Sequence, residues 1–210
     1  MSEAELPARL LTPLPPAKAT ALKRLAEIKA RIPASANLVL LGASLAAGWL
    51  PALYPEAFPD RRIFNFGLPG DRTQNTLWRL EAVPVGHLRP RELVLLLGTN
   101  NLGDGDLPEA IAYGILEVLR RARTLWGEPR SVLVTVPRRG ETPGFREADR
   151  LALNAALARD LMAFPDAVLL ASDAVLETKP GEPPSLDPDL LHLSQAGYAR
   201  LSVAVRTALA

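Results

Sequence analysis

The run of residues 93–97, Leu-Val-Leu-Leu-Leu, constrains the fold of this chain more than any other segment. A short apolar run without polar alternation is typical of a strand that is buried on both faces. Residues 38–41, Leu-Val-Leu-Leu, repeat this pattern and end at Gly42. Such strands occur almost only in parallel sheets that helices cover on each side. The two runs therefore indicate an α/β fold.

Strand and helix patterns alternate along the chain. The predicted strands are residues 37–41, 62–66, 93–97, 131–136 and 167–171. Apolar residues at helical spacing predict helices over residues 17–32, 45–50, 71 or 73 to 80, 108–126, 145–162 and 194–209. The longer segments between them, at 84–90, 137–144 and 172–193, are predicted to be loops. Five strands alternating with helices predict one parallel sheet, and right-handed crossovers place every strand's carboxyl end at one edge. We expect a single domain over residues 17–210, preceded by a Pro-rich extended arm at residues 1–16.

Composition excludes several classes of function. The 210-residue chain has a formal net charge of +1, which implies no long-range attraction to nucleic acid or to an anionic membrane. It has no cysteine, which excludes thiol nucleophiles and thiolate metal sites. The amino terminus lacks the pattern of a signal peptide, and no apolar run approaches the length of a membrane span. We therefore expect a cytoplasmic protein without a membrane span.

Groups suited to chemistry lie where three predicted strands end. Ser44 follows the first strand, Gly67 the second and Asn100 the third. Ligands of open parallel sheets bind at this edge, where a hydroxyl, an unhindered backbone N–H and a side-chain amide would meet. Taken singly, each residue has a simpler interpretation, as a helix cap, a turn glycine and an Asx-turn respectively.

A fourth element of the site is the spacing Asp189-x-x-His192 in the long late loop. Three residues apart on a helical turn, the two side chains share a face, so Asp189 can hold one ring nitrogen while the other acts as a base. The simpler interpretation is that Asp189 caps a local turn. The other histidine, His87, precedes the third strand and lies at the amino edge of the predicted sheet. Four such groups at one edge favour the arrangement of a serine hydrolase.

Two other motifs are excluded by spacing. Residues 42–46, Gly-Ala-Ser-Leu-Ala, lack the second glycine of the Gly-x-Ser-x-Gly nucleophile elbow, which disfavours an α/β-hydrolase fold. Residues 67–70, Gly-Leu-Pro-Gly, lack the lysine of a P-loop and the glycine spacing of a dinucleotide-binding fingerprint.

With these residues identified, the chain resembles the SGNH (GDSL-type) hydrolase superfamily over about residues 37–209. The four motif blocks of that superfamily match, in order, Gly42-Ala43-Ser44-Leu45, Asn65-Phe66-Gly67, Gly98-Thr99-Asn100-Asn101 and Asp189-Leu190-Leu191-His192-Leu193. Residues 65–71 followed by Leu77-Trp78-Arg79-Leu80, and the loop at 137–146, are similar to the catalytic subunits of intracellular platelet-activating-factor acetylhydrolases. One position departs from the pattern: Ala43 stands where the family usually has aspartate.

The resemblance implies a three-layer, flavodoxin-like fold and a serine esterase without metal or cofactor. It implies a catalytic triad of Ser44, His192 and Asp189, and an oxyanion hole formed by the N–H groups of Ser44 and Gly67 and the side chain of Asn100. The substrate would be a small ester with a short acyl group, acetyl foremost, and the resemblance also suggests a homodimer.

Substrate contacts and two alternative functions remain open at this point. Trp49, Leu50, Leu102 and the loop at 172–191 are the residues we expect to shape the substrate pockets. One alternative is a thioesterase, lysophospholipase or transacylase that uses the same triad. The other is a non-catalytic module that binds a carbohydrate or a lipid, which the presence of all four motif residues disfavours.

Overall fold

The structure is a computed structural model that describes residues 5–140 and 145–210. Within these ranges, the strands are β1 (Leu38–Gly42), β2 (Ile63–Gly67), β3 (Glu92–Leu96), β4 (Arg130–Val134) and β5 (Ala167–Leu170). The α-helices are α1 (Glu5–Leu11), α2 (Ala19–Lys29), α3 (Ser44–Ala47), α4 (Tyr54–Ala57), α5 (Thr73–Ala82), α6 (Thr99–Gly103), α7 (Pro108–Trp126), α8 (Glu147–Asp160), α9 (Ser172–Leu176) and α10 (Gln195–Leu209). Single 3₁₀ turns occur at Pro51–Leu53, Gly86–Leu88 and Leu161–Ala163.

The sheet is parallel throughout, with the strand order β2-β1-β3-β4-β5. This confirms the predicted five-stranded α/β fold, and each predicted strand boundary lies within two residues of the observed one. β1 is paired on both sides, so that Gly42 lies opposite Gly67 of β2 and opposite Leu96 of β3. The carboxyl ends of the first three strands therefore meet at one place on the sheet edge.

Alternate residues of the central strands enter two different cores. Val39 and Leu41 face the core formed with α1, α2, α5, α7 and α8, whereas Leu38 and Leu40 face the core formed with α3, α4 and α10. All four side chains are fully buried. The lack of polar alternation in β1 follows directly, because neither face of the strand contacts solvent.

The prediction of an extended amino-terminal arm is wrong for residues 5–11, which form α1. The buried side chain of Leu10 joins the core beneath α5 and α7. The segment after α1 is bound to the start of α5, since Leu14 donates its N–H to the Gln74 carbonyl and the Asn75 side chain donates to the Leu14 carbonyl. The arm is thus packed against the domain over the part that the structure describes.

Three further differences from the sequence-based prediction concern helices. The predicted loop at 172–193 begins with the one-turn helix α9. The short helices α4 and α6 were not predicted. In the predicted loop at 137–144, residues 141–144 lie outside the described residues. None of the described helices has the length and apolar character needed to cross a membrane.

Gly42 is the residue whose substitution we expect to damage the sheet most. Its φ is +145°, and a Cβ placed on it would lie 1.9 Å from the Leu96 carbonyl oxygen. We predict that Gly42→Ala lowers the free energy of unfolding by at least about 3 kcal/mol, which corresponds to a melting temperature at least about 6 °C lower. Thermal unfolding followed by circular dichroism measures this change.

The matched control is Gly103→Ala. A Cβ on Gly103 would meet no heavy atom within 4 Å, and the residue lies inside α6. Its melting temperature should stay within about 2 °C of wild type or rise slightly. Equal melting temperatures for the two variants would contradict the account of how β1 and β3 pack.

Candidate active site

Ser44 lies directly beyond the carboxyl end of the central strand β1. The preceding Ala43 donates its N–H to the Leu96 carbonyl of β3, and Ser44 is the first residue of α3. The side chain of Ser44 is half-buried. Because the first N–H groups of a helix have no partner within it, the Ser44 N–H has no acceptor among the described residues. Hydroxyl and backbone donor are therefore both available at one position.

Gly67 ends β2 and packs against the backbone of α3. A Cβ at this position would lie 2.2 Å from the Ala47 nitrogen, so the close approach of strand and helix requires glycine. The Gly67 N–H donates to Asn65 Oδ1 at 3.0 Å, and Asn65 Nδ2 donates to the Ala46 carbonyl at 2.8 Å. The Gly67 N–H already has this local acceptor, and its expected role as an oxyanion donor remains a prediction.

The turn after Gly67 offers another backbone donor. Gly70 has a φ of +78°, a conformation that favours glycine, and its N–H has no acceptor among the residues described. Asn100 lies beside this turn, since its Nδ2 donates to the Asp71 carbonyl at 2.8 Å. An amide nitrogen carries two hydrogens, so Asn100 keeps one for a ligand. The Asn100 side chain is thus held by the turn rather than by an Asx-turn of its own.

Asp189 and His192 form the expected pair, but on a loop turn instead of a helical one. His192 Nδ1 lies 2.6 Å from Asp189 Oδ2, and Asp189 Oδ1 accepts the N–H groups of Leu191 and His192 at 2.9 Å. The turn is closed by the bridge between Leu186 and Leu193. The local-cap interpretation of Asp189 is therefore correct as well, and the same carboxylate also binds the imidazole.

Electrostatics keep Asp189 ionised. Its hydrogen bond with the His192 ring, followed by the two backbone N–H donors, holds the pKa of this carboxyl far below its ordinary value. Both side chains of the pair remain partly exposed, 50% for Asp189 and 40% for His192. With Asp189 accepting at Nδ1, the tautomer that this contact favours leaves Nε2 free to accept a proton.

Helix α10 connects the histidine loop with the serine. It begins just beyond His192, where the Ser194 side chain accepts the Gly197 N–H as a cap. From α10, the Tyr198 hydroxyl donates to the Leu45 carbonyl at 3.0 Å, one residue after Ser44. Ser44 Oγ and the His192 ring form no hydrogen bond in the described part of the chain. Catalytic hydrogen bonds are often long in the absence of substrate. The missing hydrogen bond between Ser44 and His192 is therefore compatible with a role of His192 as the base.

A buried ion pair beneath these loops was not predicted from the sequence. Arg79 of α5 is fully buried, and its Nε donates to Asp71 Oδ2 at 2.7 Å. Burial raises the pKa of Asp71 against the lowering effect of Arg79. The available signal was an arginine flanked by Leu77 and Leu80 on the buried face of α5.

Two of the residues expected to contact substrate are core residues. Trp49 is 1% exposed, packs against the tilted rings of Phe58 and Tyr198, and donates its Nε1 hydrogen to Ser202 Oγ at 3.0 Å. Leu102 is 3% exposed and belongs to the core on the other face of the sheet. Both expectations are therefore wrong. Leu50 is half-buried and packs against the Trp49 core.

The space around the site is divided between two regions. A small cavity of about 10 Å³ adjoins Ser44 and is lined by Ala43, Leu45, Leu96, Leu97, Thr99 and residues 134–137. An open groove of about 820 Å³ lies on the other side of the histidine loop, where Leu176, Leu186 and Leu190 contribute apolar walls. The segment at 172–191 lines this groove, and its expected contact with substrate remains a prediction.

The described residues contain no group of three or more His, Asp or Glu side chains that could hold a metal ion. His87 lies in the 3₁₀ turn before β3, and its Nε2 contacts the Pro33 carbonyl at 3.0 Å. Its place at the amino edge of the sheet agrees with the structural role that was expected.

Serine, amide and Asp–His pair at the carboxyl edge of a parallel sheet define a serine hydrolase of the flavodoxin-like type. The sequence profile of the GDSL-like Lipase/Acylhydrolase family matches residues 33–200, and the chain belongs to this family. It is accordingly a serine hydrolase that acts on ester bonds.

Curated relatives agree with this assignment. Platelet-activating factor acetylhydrolase IB subunit alpha1 of Rattus norvegicus is 32% identical over 159 residues, which cover 75% of this chain and 67% of the relative. Subunit alpha2 of Gallus gallus is 29% identical over 150 residues, covering 71% and 65% respectively.

Solved structures share the fold. A GDSL-like lipase from Bacteroides thetaiotaomicron superposes with a TM-score of 0.70 at 19% identity, covering 91% of this chain and 98% of that chain. A carbohydrate acetylesterase from Sinorhizobium meliloti gives a TM-score of 0.63 at 19% identity, covering 81% and 96%.

Asp189→Asn tests the pairing of the carboxylate with His192. The amide can present its N–H₂ to Nδ1 and so favour the tautomer in which Nε2 carries the proton. We predict a kcat lower by about 10²- to 10⁴-fold with a small change in KM, measured with p-nitrophenyl acetate.

Asp187→Asn is the matched control, because its carboxylate is exposed and its N–H, which donates to the His192 carbonyl, is kept. Its kcat should stay within about threefold of wild type. If Asp187→Asn were the damaging change and Asp189→Asn the harmless one, the orienting acid would be Asp187.

Proposed function

We propose that this protein hydrolyses short-chain acyl esters, acetyl esters foremost, through an acyl-enzyme intermediate on Ser44. The observation that carries the proposal is the small cavity beside Ser44, whose volume of about 10 Å³ corresponds to one water-sized probe. The methyl of an acetyl group is of similar size. A longer acyl chain would have to displace Leu45, Leu96 or Val136, all of which are buried. The names of the mammalian relatives and of the Sinorhizobium enzyme refer to acetyl groups and support the same preference.

In the first half of the reaction, His192 Nε2 accepts the Ser44 hydroxyl proton while Oγ attacks the ester carbonyl carbon. Asp189 stabilises the imidazolium that forms, since its carboxylate is ionised and bound at Nδ1. The new oxyanion would be held by the Ser44 N–H, the second hydrogen of Asn100 Nδ2 and the Gly67 N–H, which would exchange its local Asn65 acceptor for the substrate. Each preorganised donor contributes about 2.7–4 kcal/mol to the transition state in enzymes of this kind.

The second half of the reaction repeats these roles with water. The imidazolium protonates the leaving alkoxide, and the alcohol departs while the acyl group stays on Oγ. His192 Nε2 then takes a proton from a water molecule as its oxygen attacks the acyl carbon. The same donors hold the second oxyanion, and its collapse releases the acid and returns the proton to Ser44 Oγ. All these steps use only the chain's own residues and water.

A series of p-nitrophenyl esters tests the acyl preference. We predict that kcat/KM falls by at least about tenfold between acetate and hexanoate, because one additional methylene in a confined pocket changes transition-state binding by about 1–3 kcal/mol. The wild-type chain, Ser44→Ala and Ser35→Ala are compared by initial rates. A rising kcat/KM with chain length would contradict the proposed acyl pocket.

Ser44→Ala should lose at least about 10³-fold in kcat with the folded state intact, as expected for removal of a nucleophile. Ser35 is exposed and lies before β1, at the opposite edge of the sheet, so Ser35→Ala should match wild type. Full activity of Ser44→Ala would contradict the assignment of Ser44 as the nucleophile. Inactivity of the wild type on every ester would contradict the proposed substrate class.

A further inference from the structure

Arg79 joins three backbone segments at the edge of the sheet. Its Nη2 donates to the Gly42 carbonyl at 3.2 Å, and its Nη1 donates to the Phe66 carbonyl at 2.6 Å. Gly42 precedes Ser44 by two residues, and Phe66 lies in the penultimate position of β2. One planar guanidinium therefore connects the end of the serine strand with the end of its neighbour.

The third nitrogen of Arg79 reaches the turn that carries the backbone donor. Nε donates to Asp71 Oδ2 at 2.7 Å, and Thr76 Oγ1 donates to the same oxygen at 3.3 Å. The backbone carbonyl of Asp71 accepts from Asn100 Nδ2 at 2.8 Å. Arg79 is thus linked through Asp71 to the side chain of Asn100.

Stability alone does not explain this arrangement. Asp71 and Arg79 are 1% and 0% exposed. Burying an ion pair costs about as much solvation energy as the attraction between the two charges returns. Apolar side chains of the same volume would therefore stabilise the core equally well. Asp71 Oδ1 is also buried without a hydrogen-bond partner among the described residues. A pair that leaves such an oxygen unsatisfied is better explained by what it positions.

Arginine has a property that this position requires. Its donors point in fixed directions from one plane, whereas a lysine ammonium is a single point charge on a flexible stem. Only the guanidinium can bind the two strand-end carbonyls and the Asp71 carboxylate at the same time. The Phe66 ring, with its centroid 4.5 Å from the Arg79 guanidinium carbon, further restricts the plane of the group.

We infer that Arg79, acting directly on the strand ends and through Asp71, is the positioning residue of the oxyanion site. It holds the end of the serine strand, the Phe66–Gly67 peptide and the Asn100 amide in fixed relative positions. Arg79 lies beneath the site and does not contact the reacting atoms. Its loss should therefore reduce transition-state stabilisation while leaving substrate binding nearly unchanged. The inference rests on the proposed nucleophile and oxyanion donors.

The test compares Arg79→Lys with Arg123→Lys. Arg123 is also buried, and it also binds carboxylates, those of Glu128 and Asp166, and a carbonyl, that of Pro129, but it lies at the amino edge before β4. Both variants should melt at lower temperature than wild type. Activity is measured with p-nitrophenyl acetate at a temperature where both variants are folded. For Arg79→Lys, kcat should fall about 30- to 1,000-fold while KM stays within about threefold of wild type. For Arg123→Lys, kcat should stay within about threefold of wild type.

A second readout does not depend on turnover. The rate at which a p-nitrophenyl phosphonate modifies Ser44 requires the same oxyanion donors, and it should fall in parallel with kcat in Arg79→Lys only. If Arg79→Lys does not fold, Asp71→Asn replaces it, because the amide preserves the shape of the buried side chain. This variant should lose about 5- to 50-fold in kcat and in phosphonate reactivity.

The outcomes separate the inference from the proposed function. Folded Arg79→Lys, or Asp71→Asn in its place, with kcat and phosphonate reactivity equal to those of Arg123→Lys would overturn the positioning role. A wild-type chain that reacts with the phosphonate but hydrolyses no ester would overturn the substrate proposal alone, and the phosphonate rates would still decide the role of Arg79. A wild-type chain that does not react would overturn both.

Discussion

The pairing of β1 with β2 and β3 at their carboxyl ends is the contact on which the site depends. Gly42, Gly67 and Leu96 lie side by side, with Gly42 in a conformation and at a distance that exclude any side chain. This close pairing places the segments that follow the three strands next to one another. The segments that carry Ser44, Gly67 and Asn100 thus lie at the ends of three adjacent strands because of backbone pairing, before any side chain contributes.

Much of the fold could be predicted because β1 and β3 are apolar on both faces. This pattern is typical of a parallel sheet that helices cover on both sides, and few other architectures require it. Helix α1 was missed because the Pro-rich composition of residues 1–16 was taken to indicate an extended arm, although proline is tolerated in the first turn of a helix, where no N–H is needed. Trp49 was assigned to a pocket because the sequence does not show that Ser202 and Tyr198, some 150 residues later, enclose it.

The order of the four motif residues could be derived from the strand ends, but their hydrogen bonds could not. Asn65 competes for the Gly67 N–H through a local side-chain contact, which the spacing alone does not reveal. The partners of Arg79 come from three separate segments, so its role appears only in the folded chain. Ala43, which departs from the usual aspartate, is buried in the core, and its N–H is bound by β3.

Peptide mapping of the wild-type chain after reaction with a p-nitrophenyl phosphonate identifies the nucleophile without reference to the natural substrate. We expect one covalent adduct, located on the peptide that carries Ser44, and none in Ser44→Ala. An adduct on another serine, or undiminished modification of Ser44→Ala, would contradict this expectation.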